Sequence, residues 1–180
     1  MSEPWLVVID TQRVFAREGS PWAAPRYAEV EPNIVRLADA FGDRSVYTRW
    51  VAPEHPEGAW VPYFEQWPFA LVPPTDRIYE LMPEIATRAR RVITRTTFGK
   101  WDDELAGILG PEPTMLLAGV STDCCVISTA LAAADAGVRV KVVQDACAGA
   151  SDDDHARALA AMALYAPLIE LTTVDAVLGG

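Results

Sequence analysis

The sequence predicts an α/β fold: three α/β/α layers around a six-stranded, mainly parallel sheet, doubly wound in the Rossmann-like manner. Three observations lead there. Six short stretches are rich in aliphatic and β-branched residues. Their near-continuous apolar character suits strands buried on both faces. Helical patterns lie between several of them, and alternation of strand and helix is the mark of a parallel sheet.

The first strand is expected over Trp5–Asp10, where Leu6-Val7-Val8-Ile9 runs into a carboxylate. A Pro-rich loop then leads to a helix over Ala28–Phe41 and a strand over Ser45–Trp50. Residues 51–83 break the rhythm, being rich in proline and in aromatics such as Trp60, Tyr63, Phe64, Trp67 and Phe69. They are read as an ordered insertion over one edge of the sheet, a lid or a subunit contact. The third strand is expected over Arg91–Arg95 and a short helix over Asp102–Leu109. The fourth strand, Met115–Val120, precedes an alanine-rich helix over Cys124–Ala136 that Gly137 should stop. A strand over Val138–Gln144 leads to a helix over Asp152–Tyr165, whose three leading aspartates favour a helix N-terminus and which ends before Pro167. The last strand is Leu168–Leu171.

A chain of 180 residues, 51% of them apolar, can close one domain over residues 1–180 around a real core. The formal net charge is −10 and the sequence pI about 4.6. Such a surface repels phosphate backbones, and its Lys and Arg are scattered, so no nucleic-acid partner is expected. No apolar run reaches the length of a membrane span, and Met1–Asp10 has no basic, signal-like start. A cytoplasmic protein without a membrane partner is the expectation. Three cysteines, two of them adjacent, do not make a disulfide framework and are read as free thiols.

In open parallel sheets ligands bind beyond the carboxyl ends of the strands. Asp10 ends the first strand, Arg95 the third, and Gly119-Val120-Ser121-Thr122-Asp123-Cys124-Cys125 joins the fourth to its helix. Three polar groups thus fall on one rim. A cysteine in the first turn of a helix feels the macrodipole, which favours thiolate, and the N–H groups of that turn can serve an oxyanion. The alternative is that Cys124 and Cys125 are small apolar core residues; for Cys147 the structural reading is preferred. Asp10 is either a proton-handling carboxylate or an acid capping a loop. Burial would raise its pKa and a neighbouring cation would lower it.

Asp10-Thr11-Gln12 followed by Phe15 resembles the D-x-Q-x-x-F opening of isochorismatase-like hydrolases. Gly119-Val120-Ser121-Thr122-Asp123-Cys124-Cys125-Val126 resembles their G-V-x-T-D-x-C-V signature, and the likeness continues through Thr129-Ala130, Ala133, Gly137 and Asp145-Ala146. The resemblance implies that Cys125 is the nucleophile, that Asp10 moves its protons, and that the backbone N–H groups of Cys125 and Ser121 hold the oxyanion. It also implies a cis peptide at Val120–Ser121 and assembly as a homo-oligomer, a dimer or a tetramer.

Two departures from the family pattern stand out. The family has a lysine at the end of the third strand, before a S-A-F-like element. Here Arg95-Thr96-Thr97-Phe98-Gly99-Lys100-Trp101 occupies the place, and aligning Trp101 with the family phenylalanine gives Arg95 the lysine's position, with Lys100 as the alternative. A guanidinium could hold a thiolate but could not exchange a proton at neutral pH. Lys100 in turn reads as a solvated residue ahead of a helix. Nicotinamidase-type relatives also carry a D-x-H pair after the second strand, where this chain has Thr48-Arg49-Trp50-Val51. With only His55 and His155 present, neither at ligand-like spacing, no metal and no other cofactor is expected.

The resemblance therefore implies a cysteine-dependent amidohydrolase of the non-metal branch, cleaving a C–N bond of a small-molecule amide, carbamoyl or ureido substrate through a thioester. A pocket walled by Phe15, Trp50 and Trp101 is expected, although packing under the long insertion is the competing use of these aromatics. The alternatives are an isochorismatase-type vinyl ether hydrolase, which relatives perform by acid catalysis without the cysteine, and a non-catalytic member of the fold, which the Arg95 replacement favours.

Overall fold

A computed structural model of the chain describes residues 3–179. Met1 and Ser2, the start of the segment read as lacking a signal, lie outside the described residues, as does Gly180. In chain order the elements are β1 (Trp5–Ile9), α1 (Arg13–Ala16), α2 (Tyr27–Phe41), β2 (Ser45–Trp50), α3 (Trp60–Gln66), α4 (Pro83–Ala86), β3 (Val92–Arg95), α5 (Asp103–Leu109) and β4 (Thr114–Val120). A π-helical turn (Thr122–Val126) then leads into α6 (Ile127–Asp135), β5 (Arg139–Ala148), α7 (Asp152–Ala163), β6 (Ile169–Thr172) and α8 (Val174–Leu178).

The strands form one sheet in the order β3-β2-β1-β4-β5-β6, and every neighbouring pair is parallel. Both faces of the sheet are buried, which explains why its strands read as unbroken apolar runs. Leu6 and Val8 of β1 pack with Ile34 and Leu37 of α2 and Val174 of α8. The alternate residues Val7 and Ile9 pack with Leu105 of α5, Ala130 and Ala133 of α6 and Met162 of α7. The period of two along the strand thus feeds two cores, one on each face.

Two differences from the sequence reading concern ends. β5 continues to Ala148 rather than Gln144, because after a register shift at Leu117/Gly119 it pairs again, Gly119 with Cys147 and Val120 with Ala148. The helix expected from Cys124 begins with the wider π turn and becomes α-helical only at Ile127. Gly137, in the left-handed region at φ 84°, ends it as foreseen.

The strand order reverses direction between β1 and β4, and such a switch point opens a crevice at the carboxyl ends of the two strands. Gly119 sits there at φ 118°, and a Cβ on it would lie 2.2 Å from the Ile9 carbonyl oxygen. Only glycine lets the two strands approach so closely at the point where both leave the sheet.

The 51–83 segment is ordered and carries α3. Its aromatics pack over the carboxyl end of β2: Phe64 and Tyr79 lie 6.2 and 5.8 Å from Trp50, ring centre to ring centre. Trp60 and Tyr63 reach across to Phe98 at 5.3 and 6.0 Å. Among the described residues no helix is long and apolar enough to cross a membrane.

Candidate active site

Asp10 leaves β1 with φ 44°, a left-handed conformation that aspartate tolerates better than most residues. That turn points its carboxylate across the crevice. Thr48, on the neighbouring strand β2, donates through Oγ1 to Asp10 Oδ1 at 2.5 Å and accepts from the Asp10 N–H at 3.1 Å. The second carboxylate oxygen faces Lys100, whose Nζ lies 2.8 Å from Oδ2, with both side chains fully buried. Oδ2 has no well-angled hydrogen bond, so its contact with the ammonium is a charge pair. Lys100 Nζ donates to the carbonyls of Thr97 at 2.6 Å and Phe98 at 2.8 Å. A buried ion pair is tolerable only when compensated in this way.

Thr129 of α6 fastens the lysine loop to the cysteine turn. Its Oγ1 accepts from the Lys100 N–H at 3.0 Å and donates to the Cys125 carbonyl at 2.7 Å. On the other side, β4 ends in a cis peptide between Val120 and Ser121. The Ser121 carbonyl accepts from the N–H groups of both Cys124 and Val126 at 3.1 Å, which closes the turn carrying Cys125.

Cys125 is 1% exposed. Burial pushes its thiol well above the ordinary range. The Asp10 carboxylate, through its charge and as a hydrogen-bond acceptor, pushes the same way, while Lys100 opposes both. The macrodipole argument favoured a thiolate; burial and the Asp10 carboxylate push the other way, towards the thiol. The Cys125 sulfur thus faces the Asp10 side chain.

Above it opens a cavity of about 270 Å³ lined by Phe15, Pro21, Trp22, Ala23, Tyr63, Trp67, Phe98, Ser121, Asp123, Cys124, Cys125 and Ala150. Burial, with the two neighbouring cysteines, pushes the Tyr63 phenol up to about 12, so it is a neutral hydrogen-bonding group at physiological pH. A larger cavity of about 480 Å³ lies between α2, β5 and α7, but none of Asp10, Lys100 and Cys125 lines it, and volume does not make chemistry.

The sequence pattern of the Isochorismatase domain family matches residues 4–175. The chain belongs to the isochorismatase-like hydrolase family. Over 101 residues it is 34% identical to Isochorismatase domain-containing protein 2 of Homo sapiens, a stretch that makes up 54% of this chain and 45% of that protein. The chain thus spans less than half the length of that curated relative. Its fold is similar to that of an isochorismatase-like hydrolase from Alkaliphilus metalliredigens, with a TM-score of 0.82 at 19% identity over 99% of this chain and 98% of the other. It is likewise similar to N-carbamoylsarcosine amidase from Thermoplasma acidophilum, with a TM-score of 0.74 at 20% identity over 97% and 98% of the two chains.

Within this isochorismatase-like site, the placement expected of Arg95 needs correction. Its guanidinium is held by Asp102, through Nε, and by Glu104, through NH2 at 2.6 Å. The cation beside Asp10 is Lys100. The loop 96–101 folds back on itself, so a lysine five residues late in sequence arrives where the end of β3 cannot reach, and the solvated reading of Lys100 is overturned. Of the three aromatics expected in the pocket, only Phe15 lines it. Trp50 is fully buried behind Phe15 and Trp22 and donates through Nε1 to the Thr96 carbonyl at 3.2 Å. Trp101 packs on the core face shared by α5 and α6. Trp22, Tyr63, Trp67 and Phe98 take their places.

Sequence reasoning also missed Thr48 and gave Gln12 no task. Gln12 is fully buried, donates to the carbonyls of Trp50 and Tyr79 and accepts from the Trp50 N–H at 2.7 Å. A glutamine so saturated ties β1, β2 and the insertion together, and its place in D-x-Q was the only signal for it.

Proposed function

We propose that this chain is a cysteine amidohydrolase that cleaves the C–N bond of a small amide, carbamoyl or ureido substrate through a thioester on Cys125. The observation that carries this reading is the sealed Asp10–Lys100 pair facing the Cys125 thiol at the floor of a cavity. A thiol alone could be a core residue; a thiol set against a buried carboxylate with its own counter-charge is an arrangement for moving a proton.

The steps follow from these contacts. As substrate enters and excludes water, Asp10 takes the Cys125 proton and the sulfur adds to the carbonyl carbon. Negative charge passes to the carbonyl oxygen, where the N–H groups of Ser121 and Cys125 would receive it. The C–N bond breaks as Asp10 returns the proton to the departing nitrogen. Water then loses a proton to Asp10 and adds to the thioester, and the sulfur departs with that proton to restore the thiol. Lys100 offsets the carboxylate charge whenever Asp10 is ionised.

The amidase identity of the Thermoplasma acidophilum structure agrees with this chemistry, and the presence of a lysine beside Asp10 removes the ground for a non-catalytic reading. Vinyl ether hydrolysis would leave Cys125 without a task. The test is partitioning by hydroxylamine. A common acyl-enzyme predicts that a primary amide and its N-methyl amide give the same ratio of hydroxamate to acid. A ratio that follows the leaving group would overturn the thioester.

A further inference from the structure

We infer that the substrate of this site is a flat amide whose non-reacting part is uncharged or cationic, and that amides bearing a carboxylate are rejected. The inference rests on the amidohydrolase reading and narrows its substrate class. It comes from what lines the cavity above Cys125 and from what does not.

The walls are aromatic. Phe15 and Trp22 are stacked, 6.0 Å apart with planes 6° from parallel. Trp67 meets Trp22 edge-on at 5.8 Å, and Tyr63 meets Phe98 at 6.0 Å. Rings that brace one another form a preset aromatic wall, on which a planar group can stack without the wall first being ordered. Its volume, about 270 Å³, is at the small end of ligand sites.

The charges point one way. Among the described residues no Lys, Arg or His lines this cavity, and the one carboxyl there is that of Asp123. Asp123 is fixed by accepting the Ala150 N–H at 2.8 Å. The cation nearest to the chemistry, Lys100, is fully buried and committed to Asp10. Arg95 is held by Asp102 and Glu104. A substrate carboxylate would therefore lose its water against aromatic faces, whose quadrupoles repel anions, with no counter-ion to receive it. A cationic or neutral ring meets those faces favourably and finds Asp123 at the wall. The chain's net charge of −10 disfavours anions at longer range as well.

The test uses binding rather than turnover. Trp22 and Trp67 in the wall provide the signal: their fluorescence is titrated with benzamide, 4-(aminomethyl)benzamide and 4-carbamoylbenzoate on the Cys125→Ala chain. The neutral and cationic amides should bind at least about tenfold more tightly than the anion, equivalent to about 1.4 kcal/mol. Asp123→Asn, which keeps the acceptor for Ala150, should weaken the cation and narrow its lead over the anion. Equal or tighter binding of 4-carbamoylbenzoate overturns the inference, and so does failure of both other amides to bind. Should the binding order hold while the unsubstituted chain hydrolyses no amide, the charge selection stands and the amidohydrolase reading falls.

Discussion

Lys100 Nζ lies 2.8 Å from Asp10 Oδ2, and neither side chain reaches solvent. The two residues are ninety positions apart, and the fold joins them by bringing the carboxyl end of β1 against the loop after β3. Around this pair stand Thr48, which orients the carboxylate, and Thr129, which links the lysine loop to the cysteine turn.

Removing the cation alone leaves a buried carboxylate without its counter-charge. Lys100→Met should cost about 3–5 kcal/mol of stability, the usual penalty for breaking a buried pair from one side. The double variant Asp10→Asn, Lys100→Met should recover much of that loss and none of the activity. Urea unfolding of the three chains checks the first statement and amide turnover the second.

Arg95 gives the contrasting result. Its partners Asp102 and Glu104 are partly exposed, and the pairing holds the Asp102 carboxyl below the usual carboxylate range. Exposed pairs contribute little, so Arg95→Ala should cost under about 1 kcal/mol and leave kcat/KM unchanged. A collapse of kcat with normal stability would return Arg95 to the chemistry.

Cys147 lies buried in β5 beside Gly119 of β4, and burial pushes its thiol up to about 12. The folded chain keeps this proton where the unfolded chain has released it, so stability falls as pH rises from the ordinary thiol value towards the folded one. Thermal unfolding between pH 8 and pH 11 should show that decline. Cys147→Ala should start lower, from the cavity it leaves, but decline less steeply.

His155 of α7 shares a hydrogen bond with Thr122 in the cysteine turn, Nδ1 to Oγ1 at 2.8 Å. Burial, with Arg26 nearby, lowers its pKa against the opposing pull of Asp152 and Asp123. The unfolded chain therefore takes up the proton first as pH falls, and stability is lost on the acid side of the ordinary imidazole range. Urea midpoints at pH 7.5 and pH 5 should draw apart in the native chain. They should lie closer in His155→Leu, which is also expected to lower kcat by loosening the turn.

Much of this was legible in the sequence because strands buried on both faces show as continuous apolar runs. Five of the six strands lie within two residues of their expected limits at both ends; the fifth in chain order runs on because it pairs again after an irregularity no periodicity reveals. Asp10, Cys125 and the Val120–Ser121 cis peptide carry motif signals and fall where strand ends should put them. Lys100 was hidden for a physical reason: its position depends on how an irregular loop folds back, and register counting along β3 leads to Arg95 instead. Trp50 and Trp101 were misplaced because composition reports aromatic supply but not which face of a strand or loop each ring takes. Thr48 carried no signal, since a threonine inside a strand is ordinary until a carboxylate turns towards it.

Hydrolysis of one carboxamide by the native chain and by Cys125→Ala, both shown to be folded, decides whether the Cys125 sulfur is the nucleophile. Loss of at least about a thousandfold in kcat/KM is the result expected if the sulfur forms the covalent intermediate. Turnover by Cys125→Ala within a few-fold of the native rate would show that the thiol is a core residue after all.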